Sequence, residues 1–315
     1  MIGFEVTLAR FQVCWAILGL FVGSFLNVAI HRFPIEGESV SKPRRSRCPN
    51  CKTTLTWKEN IPLLSWAIQL GRCRTCGWRI PWRYPLVEAL TAGLFWLAAS
   101  GWEDVQGDWP VRLGVCVVRT IVLSGLVVAT FVDFDCFEIP DQVSIGGIVL
   151  APLATLALPA LHDSTRLALS MSPDGHAPVT RTAALAGCLA GMAAGGGCLW
   201  VIGWIGSRLY GRDAMGFGDV KLLAAGGGFL GPGGVLWALM IASLAASVVG
   251  VLNLLRFFLL LTTRSRRRGR GARLGPSLRV ARVAGRYVPF GPYLALGIGI
   301  VLLYWKDVAG FLQFG

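Results

Sequence analysis

The stretch VRTIVLSGLVVATFVDFD, residues 118–135, decides the fold because it joins a long apolar run to acidic side chains. Together with the residues before it, this run reaches the roughly 20 residues that cross a bilayer as a helix. Asp133 closes the run, and Asp219 opens a later one within GFGDVK, residues 216–221. A carboxylate at the edge of a spanning segment is costly unless it serves a function, and a pair of them is typical of acid–base chemistry. Asp133 and Asp219 are therefore the candidate catalytic residues.

The composition places the chain among membrane proteins. Hydrophobic residues make up 54% of the 315 residues, charged residues make up 15%, and the mean hydropathy is +0.59. Because apolar runs recur along the chain, we expect an all-α polytopic membrane fold with about eight transmembrane helices. The expected helices cover approximately residues 11–30, 85–100, 112–132, 142–160, 183–206, 220–231, 234–261 and 289–305.

The positive charge indicates topology before it indicates a partner. The formal net charge is +13, but the basic residues cluster between apolar runs, in residues 32–83 and 264–286. Loops rich in Lys and Arg remain in the cytoplasm, so both clusters are expected there, and we expect no nucleic-acid partner. The arginine-rich loop 264–286 is suited to the anionic headgroups of membrane lipids. Successive spans alternate in direction, so with the basic loops in the cytoplasm we expect Asp133 and Asp219 on the cytoplasmic side and residues 162–180 in an external loop.

Two CxxC pairs lie in the basic segment after the first span. Cys48 and Cys51 form one pair, Cys73 and Cys76 form the other, and 21 residues separate them. This spacing predicts a zinc-ribbon-like insert in which two turns bring four thiolates to one tetrahedral ion. Two disulfides are the alternative, but a cytoplasmic segment keeps its thiols reduced. Four sulfur ligands leave no open position for water, so the expected zinc is structural.

The segment DFDCFEIPD, residues 133–141, offers four carboxylates, and their positions separate them. Asp133 is the one continuous with the apolar helix. Asp141 follows Pro140 and precedes an apolar run, so we expect it at the N-terminus of the next helix, where free amides and the helix dipole favour a negative charge. Asp135 and Glu138 lie farther along the polar connection, where we expect them to be solvated.

Glycines precede the second candidate aspartate. Gly216 and Gly218 flank Phe217, and we expect them to permit unusual backbone dihedrals and a close approach of another peptide. A GxGD motif is weak evidence by itself, but its position at a cytoplasmic return to the membrane strengthens it. Residues two apart on a helix do not face each other, so Lys221 is expected to be an interfacial anchor and not a catalytic partner of Asp219.

Two carboxylates held close together share a proton. One of them then activates water while the other donates a hydrogen bond to the scissile carbonyl, which is aspartic peptidase chemistry. Other hydrolases fit poorly, since the chain has only three histidines and no HExxH motif. Ser24 and His31 would lie about 10 Å apart along one helix, which does not suit a serine hydrolase.

The repeat of Gly187, Gly191 and Gly195 is a small-xxx-small pattern that predicts close helix packing.

Seven motifs resemble those of the prepilin peptidases, the GxGD membrane aspartic peptidases that process type IV prepilins in pilus and type II secretion systems. The resemblance covers nearly the whole chain. The motifs are GSFLNVAIHRFP (23–34), the cysteine motif CPNC (48–51) with CRTC (73–76), ENIPLLSW (59–66), RYPLVE (83–88), DFDCFEIPD (133–141), GFGDVKLLA (216–224) and PFGPYLA (289–295).

The resemblance implies a function for the chain. The family's catalytic aspartates are the first of its DxD...PD motif and that of its GxGD motif, which correspond here to Asp133 and Asp219. It implies a multi-pass protein of the bacterial inner membrane that cleaves the basic leader of prepilins or pseudopilins at the cytoplasmic face. Many members with the four-cysteine insert also methylate the new N-terminal amine with S-adenosylmethionine. That activity rests on the resemblance alone, and no residue is assigned to it.

The expected organisation has three parts, and two alternatives to a peptidase stay open. A scaffold whose zinc-ribbon module docks a partner would use the aspartates only as helix caps. A proton-coupled transporter would place its carboxylates deeper in the spans and would need no cysteine pairs. The three parts are a first transmembrane helix (1–31), a cytoplasmic four-cysteine zinc-binding insert (32–84) and a transmembrane aspartic peptidase domain (85–315).

Overall fold

The structure is a computed structural model, and it is helical almost throughout. It describes residues 2–35, 46–103, 105, 107–162, 180–211, 215–267, 289–305 and 308. Within these ranges the only β-structure consists of two isolated bridges in the four-cysteine insert. Most of the expected external loop 162–180, and the arginine-rich loop beyond residue 267, lie outside the described residues.

Eight α-helices occupy the described ranges, and seven of them coincide with the apolar runs. The exception is the short α2 of the insert, and two 3-10 turns lie at Trp57–Asn60 and Pro159–Leu161. The helices are α1 (Ile2–Arg32), α2 (Leu64–Ile68), α3 (Arg83–Ser100), α4 (Trp109–Cys136), α5 (Asp141–Ala157), α6 (Arg181–Tyr210), α7 (Phe217–Arg267) and α8 (Gly291–Leu303).

A kink divides α7 where the sequence predicts the boundary between its sixth and seventh spans. Gly231 has φ 73° and ψ 174°, outside the helical region, and Pro232 follows it. Proline cannot donate a helical hydrogen bond, and glycine tolerates the positive φ that other residues avoid. The first half of α7, residues 217–230, is therefore a short helix with its own direction.

The fold is that of a multi-pass membrane protein. Four helices are long and apolar enough to cross a bilayer, namely α1 from Leu8, α4, α6, and α7 as far as Arg256. Large apolar side chains cover the outside of the bundle, as Phe21, Leu153, Trp200 and Leu244 are each more than half exposed. Such a surface suits lipid and not water. The all-α membrane prediction is confirmed, but among the described residues four helices of spanning length are found and not the expected eight. Helices α5 and α8 are apolar helices of only 17 and 13 residues.

Helices α6 and α7 approach each other backbone to backbone. A Cβ atom at Gly191 would lie 2.1 Å from the carbonyl oxygen of Gly227, and one at Gly195 would lie 2.5 Å from that of Leu223. Gly187 is buried on the same helix. The packing role predicted for the small-xxx-small repeat is therefore confirmed.

The first half of α7 is enclosed on its other sides as well. A Cβ at Gly226 would lie 2.6 Å from Ile298 of α8, and one at Gly228 would lie 2.6 Å from Ala151 of α5. Large side chains between these contacts, such as Leu223 and Leu230, are fully buried. The helix that begins next to Asp219 is thus the centre of the bundle, and its glycines let three neighbouring helices contact it closely.

Helices α1 and α3 form a second close pair. A Cβ at Gly19 would lie 2.8 Å from the Cα of Ala92, and one at Gly23 would lie 2.7 Å from the Cα of Glu88. Helix α4 joins this pair to the bundle around α7, because Val127 and Val128 pack with residues of α1 and α3 while other α4 side chains enter the central core. Helix α4, which carries Asp133, is therefore held from both sides.

The substitution Gly191→Ala should destabilise the protein by about 1–3 kcal/mol, because the new methyl group would meet backbone that cannot rotate away. The measurement is the apparent Tm of the purified protein in detergent. Gly197→Ala is the matched control on the same helix, since a Cβ there would meet nothing within 4 Å. Equal Tm values for the two variants would contradict the close approach of α6 to α7.

Candidate active site and four-cysteine insert

Asp133 lies at the end of α4 and is only 5% exposed. Phe137 ends the helix in the left-handed conformation, with its N–H donating to the Asp133 carbonyl oxygen. The Asp133 side chain turns toward the start of α8, where the Gly291 N–H donates to its Oδ2 atom at 2.9 Å. This contact fixes the orientation of a carboxyl group that water hardly reaches.

Asp219 lies in the first turn of α7, and the fold brings it to Asp133. The two carboxyl groups interact electrostatically although they are far apart in sequence. Ile139 lies between the start of α7 and the start of α8. A Cβ at Gly218 would come within 3.2 Å of the Ile139 Cβ, and one at Gly291 within 3.2 Å of its Cδ1. The segment after α4, the start of α7 and the start of α8 therefore meet at one place.

Two roles were expected for the glycines of the GFGD stretch, unusual backbone dihedrals and a close approach of another segment, and the structure shows one of them. Gly218 does allow a close approach, to Ile139. The expectation of unusual dihedrals is wrong, because neither Gly216 nor Gly218 is among the glycines with positive φ. The absence of a side chain at Gly218 therefore matters for space and not for backbone conformation.

Two of the neighbouring carboxylates are neutralised by cations. Asp135 is exposed to solvent, as expected, and it also forms a 2.5 Å ion pair with Arg83 at the start of α3. Asp141 is the first residue of α5, as predicted, and it pairs with Lys221 of α7. Lys221 thus ties the start of α5 to the turn that carries Asp219.

Asp133 and Asp219 differ from these neighbours. Among the described residues, neither of the two forms an ion pair with a lysine or arginine. The site therefore holds two acidic groups close to each other, at the end of the bundle where Arg83 joins α3 to the four-cysteine insert. This geometry suits a pair that shares a proton.

Gly291 is a site residue that the sequence reasoning missed. It belongs to the PFGPYLA motif, whose members received no individual roles. A Cβ at this position would lie 2.6 Å from Asp133 Oδ2, so only glycine leaves room for the carboxyl group. A glycine before a proline at the start of an apolar helix was the available signal, but nothing local indicates which side chain approaches it.

The two CxxC pairs fold into equivalent turns. Cys48 N–H donates to the Thr53 carbonyl and Cys73 N–H to the Trp78 carbonyl, and each turn is closed by a residue four positions after its first cysteine. These closing residues, Lys52 and Gly77, both have positive φ, at 57° and 68°. The repeated conformation brings both pairs of thiols to a common centre.

The thiol geometry fits a tetrahedral metal ion. Tetrahedral zinc with Zn–S bonds of about 2.3 Å separates its sulfur ligands by about 3.8 Å. Cys48 Sγ and Cys76 Sγ are 3.8 Å apart, and the four Sγ atoms, including those of Cys51 and Cys73, lie within 4.8 Å of one another. The alternative of two disulfides is not formed, because all of these cysteines are free.

The thiols of the cluster differ in pKa. Thr53 lowers the pKa of the Cys51 thiol to about 6, while burial raises the pKa of Cys48 to about 11. Neighbouring amides lower the pKa of Cys73. A bound divalent cation would hold all four groups as thiolates, which is the form that ligates metal.

Comparison with known families covers both parts of the chain. Residues 17–102 match the bacterial peptidase A24 N-terminal domain, and residues 120–251 match the type IV leader peptidase family. The first match contains the four-cysteine insert, the second half of α1 and all of α3. The second contains Asp133 and Asp219.

Individual relatives are similar over most of the chain. A prepilin leader peptidase/N-methyltransferase of Aeromonas hydrophila is 33% identical, over 92% of this chain and 89% of the relative. A type 4 prepilin-like proteins leader peptide-processing enzyme of Escherichia coli is 31% identical over 94% of both chains. A Myxococcus xanthus protein with the same name as the first is 38% identical over 78% of this chain, and the match covers 64% of that longer relative.

No solved structure matches the chain. The family models and the long alignments nevertheless name the same family as the resemblance. The predicted resemblance is therefore confirmed, and the chain belongs to the type IV leader peptidase family of enzymes.

Proposed function

We propose that Asp133 and Asp219 are the catalytic pair of a membrane-embedded aspartic endopeptidase. The observation that carries this proposal is their mutual proximity at a place where the other acidic groups, Asp135 and Asp141, are paired with cations. Two neighbouring carboxyl groups without a countercharge share one proton readily. That state is the working state of an aspartic peptidase.

In the proposed reaction, the ionised member of the pair removes a proton from water, and the resulting nucleophile attacks the scissile carbonyl carbon. The protonated member donates a hydrogen bond to the carbonyl oxygen, which stabilises the negative charge that develops there. The proton then moves to the leaving amine as the C–N bond breaks. The hydrogen bond from the Gly291 N–H orients the Asp133 carboxyl group throughout.

The substrate and the location follow from charge and from the relatives. Arg83 links the aspartate site to the basic four-cysteine insert, so both lie at one end of the bundle, and the positive-inside rule assigns that end to the cytoplasm. The relatives are named for leader peptides of prepilins. We therefore propose cleavage of basic leaders of prepilins or pseudopilins at the cytoplasmic face of the bacterial inner membrane, by a chain with about eight spans.

The remaining assignments concern the insert. We propose that residues 32–84 form a cytoplasmic module held by structural zinc on Cys48, Cys51, Cys73 and Cys76, between the first helix (1–31) and the peptidase domain (85–315). The N-methyltransferase part of the relatives' names supports a second activity, methylation of the new N-terminal amine with S-adenosylmethionine. Anionic lipids are proposed partners of the 264–286 loop.

Asp133→Asn and Asp219→Asn should each lower the rate of leader cleavage by about 10²–10⁴-fold, because an amide can neither accept the water proton nor share one with its neighbour. The assay is cleavage of a purified prepilin, with expression and membrane insertion checked in parallel. Glu138→Gln is the control, an exposed acid of the same segment. A protein acting only as a scaffold would keep its function in both Asn variants, and cleavage at the normal rate in either would overturn the assignment.

Gly291→Ala should lower cleavage on the order of a hundredfold, since its methyl group would push the Asp133 carboxyl group out of position. Gly299→Ala is the matched control on the same helix, where the nearest neighbour of a Cβ, a Leu123 methyl group, is 3.8 Å away. The comparison uses the same cleavage assay. Similar rates for the two variants would mean that the Gly291 contact does not position Asp133.

Cys48→Ser should lose the zinc and loosen the insert, because three thiolates bind the ion less tightly than four. Metal analysis should find one zinc per chain in the unaltered protein and much less in the variant, and limited proteolysis should cut the variant faster within residues 46–82. Cys136→Ser, which alters an exposed cysteine outside the cluster, is the control. Absence of zinc from the unaltered protein would end the proposal of a zinc module.

A further inference from the structure

Three large apolar side chains lie on the outside of the four-cysteine insert. Ile68 is 72% exposed, Leu70 is 84% exposed, and Trp82, the last residue before α3, is 69% exposed. Large apolar side chains grouped on a surface are costly in water, and such a group marks a contact with a partner or a membrane. These three residues are called the apolar surface of the insert below.

The fold brings the three residues to one edge of the insert. An isolated antiparallel bridge joins Arg72 to Arg79. Continuing this register by two residues places Leu70 opposite the residue that precedes Trp82. Ile68, the last residue of α2, lies two positions before Leu70. The apolar surface is therefore a single patch at the place where the insert joins α3.

Leu70 adopts a backbone conformation that leucine avoids. Its φ is 50°, in the left-handed region that glycine and asparagine enter most easily. A strained residue of this kind persists where the strain serves a purpose. An exposed leucine at this turn therefore indicates that its apolar side chain makes a contact outside the insert.

The level of Trp82 in the membrane follows from the helices beside it. Helices α1 and α3 are antiparallel neighbours, and the Asn27 side chain donates to the Tyr84 carbonyl at 3.1 Å. Trp82 therefore lies level with the last residues of α1, whose apolar span of 25 residues ends at Arg32. A helix of that length measures about 37 Å, more than the roughly 30 Å of the hydrocarbon core, so its ends lie among the headgroups.

Trp82 also extends an exposed face of α3. Its carbonyl accepts a hydrogen bond from the Leu86 N–H at 3.2 Å, as in the first turn of a helix. Leu86 and Leu90 follow at intervals of four residues, and they are 39% and 40% exposed. Residues four apart lie on the same face of a helix. The apolar surface of the insert is therefore continuous with the apolar outside of the bundle.

The charge around the apolar surface is positive. Residues 46–82 contain six basic side chains and one acidic side chain, so they remain positive even with the two negative charges of a centre made of four thiolates and Zn²⁺. Arg72 and Arg79, close to Leu70, are both exposed. Basic residues are attracted to anionic headgroups, and tryptophan is enriched at the headgroup level.

We propose that the apolar surface of the insert lies in the headgroup layer of the membrane and binds anionic phospholipid. Ile68, Leu70 and Trp82 enter the boundary between headgroups and acyl chains, while Arg72 and Arg79 contact the lipid phosphates. The contact holds the insert on the membrane beside the aspartate site. The proposal rests on the cytoplasmic orientation put forward above, because the cytoplasmic leaflet carries the negative surface potential.

The test introduces the photoreactive residue p-benzoylphenylalanine, at one position at a time, into the full chain in nanodiscs. In place of Leu70 or Trp82 it should form lipid adducts on irradiation, detected by mass spectrometry of the peptides of the insert. Thr75 is the matched control, an exposed residue at the far end of the hairpin 72–79. Lipid adducts there should be at least about tenfold less abundant, because an interfacial contact is shallow.

A second comparison tests the charge. In nanodiscs of phosphatidylcholine alone, the yield of lipid adducts at Leu70 should be at least about twofold lower than in nanodiscs that also contain phosphatidylglycerol. The double substitution Arg72→Gln with Arg79→Gln should remove that difference. Zinc content and leader cleavage of each sample show whether the substituted chain is folded.

Hydrogen exchange of the unaltered chain provides a test without substitution. The amides of residues 66–72 should exchange more slowly in nanodiscs that contain phosphatidylglycerol, and equal exchange in both kinds of nanodisc would overturn the proposed contact. Adducts to a second copy of the chain in place of lipid, or equal lipid adducts at Thr75 and Leu70, would overturn it as well. Failure of the unaltered protein to cleave prepilin would instead contradict the proposed function.

Discussion

The contact on which the rest of this structure depends is the close packing of α6, α5 and α8 around the first half of α7. Each neighbour comes near enough that a methyl group on the facing glycine would overlap it, as at Gly191, Gly226 and Gly228. Lipid supplies no hydrophobic driving force for helix association, so close van der Waals contact has to hold these helices together. Asp219 begins the helix at the centre, and its position is therefore set by the best-packed part of the bundle.

Ion pairs at the edge of the bundle distinguish two kinds of acidic group, those paired with a cation and those that are not. Arg83 and Lys221 neutralise Asp135 and Asp141, and each ion pair also joins two helices. The remaining two, Asp133 and Asp219, interact with each other. They lie on helices that pack closely against their neighbours. Preorganisation of this kind is what a proton-sharing pair requires, because the carboxyl groups must stay close despite their mutual repulsion.

The four-cysteine insert and the aspartate site occupy the same end of the molecule. Cys48 and Cys73 of the two cysteine turns line a cavity. Arg83, which follows the insert at the start of α3, pairs with Asp135 of the segment after Asp133. Cleavage must precede methylation, since the amine to be methylated is created by the cut.

Local properties of the sequence indicated the class of fold, the positions of the apolar helices, the boundary between the expected sixth and seventh helices, the metal-binding spacing and the two candidate aspartates. Hydrophobic runs and ligand spacing each involve residues that are close together in the chain. The tertiary structure alone decided that Gly291 contacts Asp133, that Arg83 pairs with Asp135, and that Glu88 faces a cavity. Those contacts join residues far apart in the chain, and no local pattern specifies which helices become neighbours. The GFGD glycines are an example. The sequence predicts that this position excludes a side chain, but it does not say whether the reason is an unusual backbone dihedral or a close neighbour. The packed helices show that a close neighbour is the reason at Gly218.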